Sequence, residues 1–330
     1  MTLDTTRPLL GQSARQPARR VVGRLLRLLV AAAVLAYLFH RVSPSYVLDA
    51  MASTRPVPLL AAFLTAFASQ LTVAARLKRL ADVHELKLSL FEVLEINLAT
   101  LFYGLFLPAG NFTGIAVRFY KMSKPQKNYA GTVVSLFFDR MVATINLCVV
   151  GVVFWLVDFP PDSWPILVLL LSGLAILLTV YAAVFLPLPL PMVADLQRRI
   201  GSLLPRQLEA IRRAMRTSRA LPRSALMYVF ALSILAQLLG IVAYRLVASS
   251  LDLDIWFLSI GWMRSTAMLL ATLPVSVAGL GVREGTLFVL LSHYGIAAGD
   301  ALAFSVLVFA ATILPVALIG GLSEVKRLLL

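Results

Sequence analysis

The chain has 330 residues, 60% of them hydrophobic, a mean hydropathy of +0.87 and a formal net charge of +14 from 30 Lys+Arg against 16 Asp+Glu. Soluble domains carry roughly 45–50% apolar residues and interrupt them more often, so a soluble fold is excluded. Apolar runs of about 18 residues or more recur, which as helix cross a hydrocarbon core of roughly 30 Å. Short alternating segments, the signature of a membrane barrel, are absent.

Residues 1–22 form a basic, Pro-containing tail with Arg7, Arg15, Arg19 and Arg20. It runs into an apolar stretch without a convincing small-residue cleavage site, so it reads as a cytoplasmic leader to a retained first helix at 23–40. A second span is expected at 57–75. The next apolar stretch, 89–107, starts at Ser89, an N-cap type, and carries Glu92 and Glu95 on one helix face. It breaks at Leu107-Pro108-Ala109-Gly110-Asn111. Spans follow at 130–156, with Asp139 and Arg140 inside, and at 165–186. A basic linker at 187–223 holds eight arginines (Arg198, Arg199, Arg206, Arg212, Arg213, Arg216, Arg219, Arg223) against Asp195 and Glu209. Apolar helices resume at 224–249 and 256–273, the latter with Arg264, and break at Leu273-Pro274-Val275-Ser276-Val277-Ala278-Gly279-Leu280-Gly281. A short helix at 283–295, opened by Arg283-Glu284, and a last span at 302–323 complete the chain.

Charge decides the topology. If 89–107 crossed fully, Arg118, Lys121, Lys124, Lys127 and the arginine-rich linker would lie outside, against the preference of Lys and Arg for cytoplasmic loops. If 89–119 enters and returns, every basic loop is inside and Asp158, Asp162, Asp252, Asp254 and Asp300 are outside. The expected fold is all-α: a polytopic transmembrane helical bundle of six full spans plus two re-entrant broken-helix hairpins forming an inverted repeat. Both termini are expected in the cytoplasm. One domain covers 23–330, with a first half at 23–186, the linker at 187–223 and a second half at 224–330.

The breaks resemble each other. Each places Leu-Pro at the end of an apolar helix, then small residues, then an arginine about ten residues beyond the proline. Pro108, Gly110 and Gly114 mark the first break; Pro274, Gly279 and Gly281 mark the second. Matched Gly/Pro interruptions in two halves point to a transporter site, because backbone freed from helical bonding needs protein, water or a polar substrate around it. An ionisable residue inside a span is costly and faces a polar interior. Asn111, Arg118, Asp139, Arg140, Arg264, Arg283 and Glu284 are therefore the candidate headgroup-binding residues, with Asp139 able to meet Arg118 across the bundle. Glu92, Glu95 and Arg245 read as interfacial groups that reach the headgroups. Cys148 stands alone, and His40, His84 and His293 lie far apart, so no disulfide, metal or cofactor is expected.

The stretch Pro-Val-Ser-Val-Ala-Gly-Leu-Gly-Val-Arg-Glu-Gly at 274–285, with Leu-Pro-Ala-Gly-Asn at 107–111, Arg118 and the Asp139-Arg140 pair as weaker support, resembles the lysylphosphatidylglycerol synthase transmembrane-region family, also described as flippase-like. The resemblance runs from about residue 20 to the end. It implies a non-enzymatic module of the bacterial inner membrane that moves a polar or anionic phospholipid, aminoacyl-lipid, glycolipid or polyprenyl-linked lipid between leaflets. Two positions depart from the pattern. Asn111-Phe112-Thr113 stands where an acidic residue often follows the glycines, and Phe309-Ala310 stands where an arginine is expected. Two other readings stay open: a scaffold for a separate lipid synthase or glycosyltransferase bound through 187–223, and a lipid-modifying transferase for which Glu92 and Glu95 are the only candidate pair. The basic charge is expected to serve membrane lipids, with no nucleic acid as partner.

Overall fold

The computed structural model describes residues 52–107, 110–160, 163–185, 205–219, 221–273 and 281–329. Among them every regular element is helical. The helices are α1 (Pro56–Val83), α2 (Leu90–Phe106), α3 (Asn111–Ser123), α4 (Tyr129–Asp158), α5 (Trp164–Phe185), α6 (Pro205–Arg219), α7 (Arg223–Ser250), α8 (Phe257–Ala271), α9 (Val282–His293), α10 (Ala298–Val308) and α11 (Leu314–Leu329), with a π-helical segment, Phe309–Ile313, joining the last two. The tail at 1–22, the expected span at 23–40, and Pro108, Pro274 and Gly279 lie outside the described residues, as does the side chain of Asn111.

Five helical stretches are long and apolar enough to cross a membrane: Pro56–Val83, Tyr129–Asp158, Trp164–Ala182, Arg223–Ser250 and Ala298–Lys326. They fall on the five spans expected beyond residue 40. The protein is a multi-pass, all-α membrane bundle. The elements at the two breaks are shorter, with 17 and 13 residues in α2 and α3 and 15 and 12 in α8 and α9. At ~1.5 Å per residue they reach only ~18–26 Å, less than a hydrocarbon core of ~30 Å.

Local chemistry sets the boundaries. Ser89 caps α2 in a reciprocal box: its hydroxyl accepts from Glu92 N at 3.2 Å, and a Glu92 carboxylate oxygen accepts from Ser89 N at 2.6 Å. Glu92 is thus occupied in starting a helix. Asn128 caps α4 by accepting from Gly131 N at 2.9 Å. Each return arm begins after a buried glycine in a conformation closed to other residues, Gly110 at φ 53° before α3 and Gly281 at φ 82° before α9. The chain therefore reverses by the same device at both breaks.

In the first hairpin, a Cβ on Gly114 would lie 2.6 Å from Thr100 O and 3.5 Å from Gly104 Cα. That contact fixes α2 and α3 as a tight antiparallel pair. Packing between the halves is reciprocal. The two spans that precede the hairpins, α1 and α7, share the most extensive helix contact in the molecule. The span after the first hairpin, α4, packs on α8 of the second, and the span after the second hairpin, α11, packs on α2 of the first. Such an exchange is what two related halves produce around a pseudo-two-fold axis.

The two ends of α4 settle the direction of each hairpin. Asn128, at its start, donates to His84 O at 2.9 Å, so the base of the first hairpin stands there. Asp158, at its far end, accepts from Ser259 Oγ at 2.7 Å, Trp262 Nε1 at 2.6 Å and Tyr294 OH at 2.8 Å, which belong to the base of the second. The hairpins enter the bundle from opposite ends. Glu324, near the end of α11, answers Asp158 at the other pole: it pairs with Lys121 of α3 and accepts from Tyr103 OH at 3.2 Å.

At the pole of the first hairpin, α6 lies across the ends of α1 and α4. Its Ala214 is buried with Leu80, Val134 and Phe138, and its Ser218 lies 2.9 Å from His84 Nε2. Burial lowers the His84 pKa below its ordinary value. The unfolded chain, titrating near pH ~6.5, then binds the proton first. Stability conferred by His84 is complete above that pH and declines as the pH falls below it. Melting temperatures between pH 8 and pH 5 are expected to fall more steeply for the native protein than for His84→Gln; parallel curves would remove His84 from the acid response.

Candidate functional site

The ionisable residues of the bundle gather at two main nodes. The first is Asp139 on α4, with its side chain 4% exposed. Arg76 of α1 donates from Nε to its Oδ1 at 2.8 Å and from Nη1 to Ser233 Oγ of α7 at 3.0 Å. Arg118 of α3 stands on the opposite carboxylate oxygen at 3.7 Å, an ion pair too long to be a hydrogen bond. One carboxylate thus holds two guanidinium groups, and four helices converge on it. Arg118 Nε and Nη2 are buried without a hydrogen-bond acceptor.

The second node opens α9. Arg283 and Glu284, 6% and 5% exposed, pair with each other, and Glu284 Oε2 also accepts from Gly281 N at 2.8 Å. Glu284 therefore caps the return arm and neutralises its arginine at once. The Arg283 guanidinium carbon lies 5.6 Å from the centre of the Phe309 ring, and its Nε has no acceptor. Phe309 begins the π-helical segment. Single π turns occur mostly at functional sites, and here the bulge sets an aromatic face against a buried cation.

A further buried cation lies on α8. Arg264 Nη1 donates to Gln237 Oε1 of α7 at 2.8 Å, and its guanidinium carbon is 5.4 Å from the Tyr244 ring centre, while Nε is unpaired. Gly240 leaves the room for it, since a Cβ there would fall 2.2 Å from Arg264 Nη2.

The structure brings Arg118 to Asp139, as the sequence anticipated, and joins Arg283 to Glu284. It does not bury Arg140, which is exposed on the far face of α4. Adjacent helix residues point about 100° apart, so burial of Asp139 turns its neighbour outward. The breaks also differ in register. Measured from the positive-φ glycine, Arg118 is eight residues into the return arm and Arg283 only two, so alignment on the prolines does not superpose the arginines. Arg76, Ser233 and Gln237 were missed. Arg76 falls one residue past the expected end of its span at 75, while α1 continues to Val83. The other two are uncharged polar residues within apolar sequence. Arg245 behaves as an interfacial group, donating to Leu253 O at 3.3 Å and facing exposed Asp254 at 3.9 Å.

Cys148 is buried and unpaired. No group of three or more His, Cys, Asp or Glu side chains suited to a metal occurs among the described residues.

Residues 24–320 match the lysylphosphatidylglycerol synthase transmembrane region. The chain belongs to that family. The match takes in both hairpins and both charged nodes, and relates the protein to membrane lipid synthesis or transport. No curated protein matches the chain.

Proposed function

We propose that the protein is a non-enzymatic, flippase-like lipid transporter of the bacterial inner membrane, with both termini cytoplasmic, that moves a lipid with a polar or anionic headgroup between leaflets. The observation that carries this reading is the presence of incompletely satisfied buried arginines on both hairpins: Arg118 on one, Arg264 and Arg283 on the other. A cation held away from water with open N–H donors is costly unless an acceptor arrives, and the acceptor most abundant at a bilayer is a lipid phosphate. Hairpins entering from opposite ends give each leaflet its own approach, the arrangement from which inverted-repeat transporters build alternating access.

The hairpins in this reading are re-entrant, their bases at opposite membrane faces and their tips inside the bilayer. Lys78, Lys121, Lys124 and Lys127 then share the cytoplasmic pole with α6, whose Arg213 and Arg216 are exposed and available to anionic headgroups. A lipid-modifying transferase is less well supported, because Glu92, half of the only candidate carboxylate pair, is engaged in the cap of α2. A scaffold reading draws on 187–223, but α6 within that stretch is packed on the bundle through Ala214 and Ser218.

The test is leaflet exchange of headgroup-labelled lipids in proteoliposomes containing the purified protein. Accelerated exchange of at least one headgroup class, reduced tenfold or more in Arg283→Ala of unchanged melting temperature, is the expected result (roughly 1.4 kcal/mol or more in the transport barrier). Protein-free rates from correctly folded protein, with every lipid class tried, would overturn it.

A further inference from the structure

Asn97 lies on α2, within an apolar helix, and is 4% exposed. Neither its amide nitrogen nor its amide oxygen has a hydrogen-bond partner. Leaving both ends of a buried amide unsatisfied costs about 1–3 kcal/mol per group, so an unpaired Asn97 needs a reason. Its position supplies one. Gly114 of α3 sits against Thr100 and Gly104 of α2. Asn97 shares the helix face of Gly104, since seven residues make two turns to within about 20°. In an antiparallel pair, the turn after Gly114 on α3 faces the turn before Thr100 on α2. Arg118 therefore stands at the level of Asn97. The two buried residues with open polar groups in this hairpin occupy one level between its arms and the Asp139 node.

We infer that this level is a headgroup subsite for a hydroxyl-bearing phosphate ester, with Arg118 on the phosphate and Asn97 on the headgroup hydroxyls. The inference rests on the transport reading above and specifies its ligand. Arg118 offers Nε and Nη2, two donors in the fork that fits a phosphate. Asn97 offers a donor and an acceptor together, and a hydroxyl is the simple group that answers both. An ammonium can donate to Oδ1 but cannot accept from Nδ2, and a trimethylammonium does neither. Charge points the same way. Arg76 and Arg118 outweigh Asp139 by one positive charge, so a headgroup with a further cation is opposed, whereas a phosphoglycerol or phosphosugar is not. Asn97 would be a specificity-determining residue and Arg118 the anion contact.

The experiment is calorimetric titration of the detergent-solubilised full-length protein with short-chain phosphatidylglycerol, phosphatidylcholine of the same chains, and soluble glycerol 1-phosphate. The glycerol lipid is expected to bind at least tenfold tighter than the choline lipid. Asn97→Leu, similar in size and apolar, is expected to bring the two within about twofold by weakening the glycerol lipid. Arg118→Gln is expected to weaken both. Melting temperatures within a few degrees of the native protein establish that the variants are folded, and Asn97→Ser, which restores a donor and acceptor, is expected to recover part of the preference. Equal affinities in the native protein, or a preference that survives in Asn97→Leu, would overturn the inference. Glycerol 1-phosphate binding as tightly as the lipid would make a soluble phosphate ester the ligand and overturn the lipid assignment. The two readings also fail separately: intact preference without leaflet exchange removes transport and leaves the subsite, whereas exchange without preference removes the subsite alone.

Discussion

Asp139→Ala is expected to destabilise the folded bundle by about 3–5 kcal/mol, the penalty for removing one member of a buried ion pair and stranding the other. The effect is large because two cations depend on this carboxylate. Arg76 is 3% exposed on its side chain and holds Oδ1 at 2.8 Å, while Arg118 approaches Oδ2 at 3.7 Å. Losing Asp139 leaves both guanidinium groups among apolar helices without a counter-charge. Arg76→Met should cost less, because Asp139 keeps Arg118, although Ser233 Oγ loses its donor. Combining Arg76→Met with Asp139→Leu should be milder than Asp139→Ala alone, since only Arg118, 20% exposed, is then unpaired. Denaturant unfolding in mixed micelles measures the order. If Asp139→Ala were as stable as the native protein, the node would be solvated and the buried-pair account would fail.

The same node shows how far sequence carries a membrane protein. Span positions were legible because hydropathy over ~19 residues is a strong signal, and the opposed hairpins were legible because basic loops fall on one side only when the chain doubles back. Pairing was legible for Asp139 and Arg118, charged residues whose cost in lipid demands a partner. Arg76 was hidden by the very window that found its helix: Arg76, Lys78 and Arg79 drop the hydropathy before α1 has ended. Asn97 and Ser233 carry no charge and barely disturb the apolar average, yet one is buried without partners and the other fastens Arg76. Arg140 misled by adjacency. Phe309 reads in sequence as an arginine missing from its family place; in the structure its ring faces the Arg283 guanidinium and begins a π turn. Periodicity alone does not foretell a π turn, because the extra residue is absorbed within an otherwise continuous helix.

Glu284 separates fold from function at the second node, and its two replacements are expected to diverge. In Glu284→Ala, Gly281 N loses its acceptor, Arg283 loses its counter-charge, and the start of α9 comes undone. A loss of about 3–5 kcal/mol follows from the stranded buried cation alone. Glu284→Gln is different, because an amide oxygen can still accept from Gly281 N, so the cap remains and the melting temperature should fall only slightly. What it removes is the negative charge beside Arg283. In the native protein that carboxylate competes with an arriving phosphate for the guanidinium, weakening its hold and allowing release. Without it, an anionic lipid should bind more tightly and leave more slowly, so exchange should fall about tenfold or more while affinity rises. Affinity and exchange that fall together would mean that Glu284 contacts the lipid itself, and an unchanged exchange rate would take Arg283 out of the lipid path. Asp139 has no such freedom: it is divided between two arginines, whereas Glu284 has one arginine and a backbone cap. The first node is therefore expected to govern whether the bundle holds together, and the second how fast it lets its cargo go.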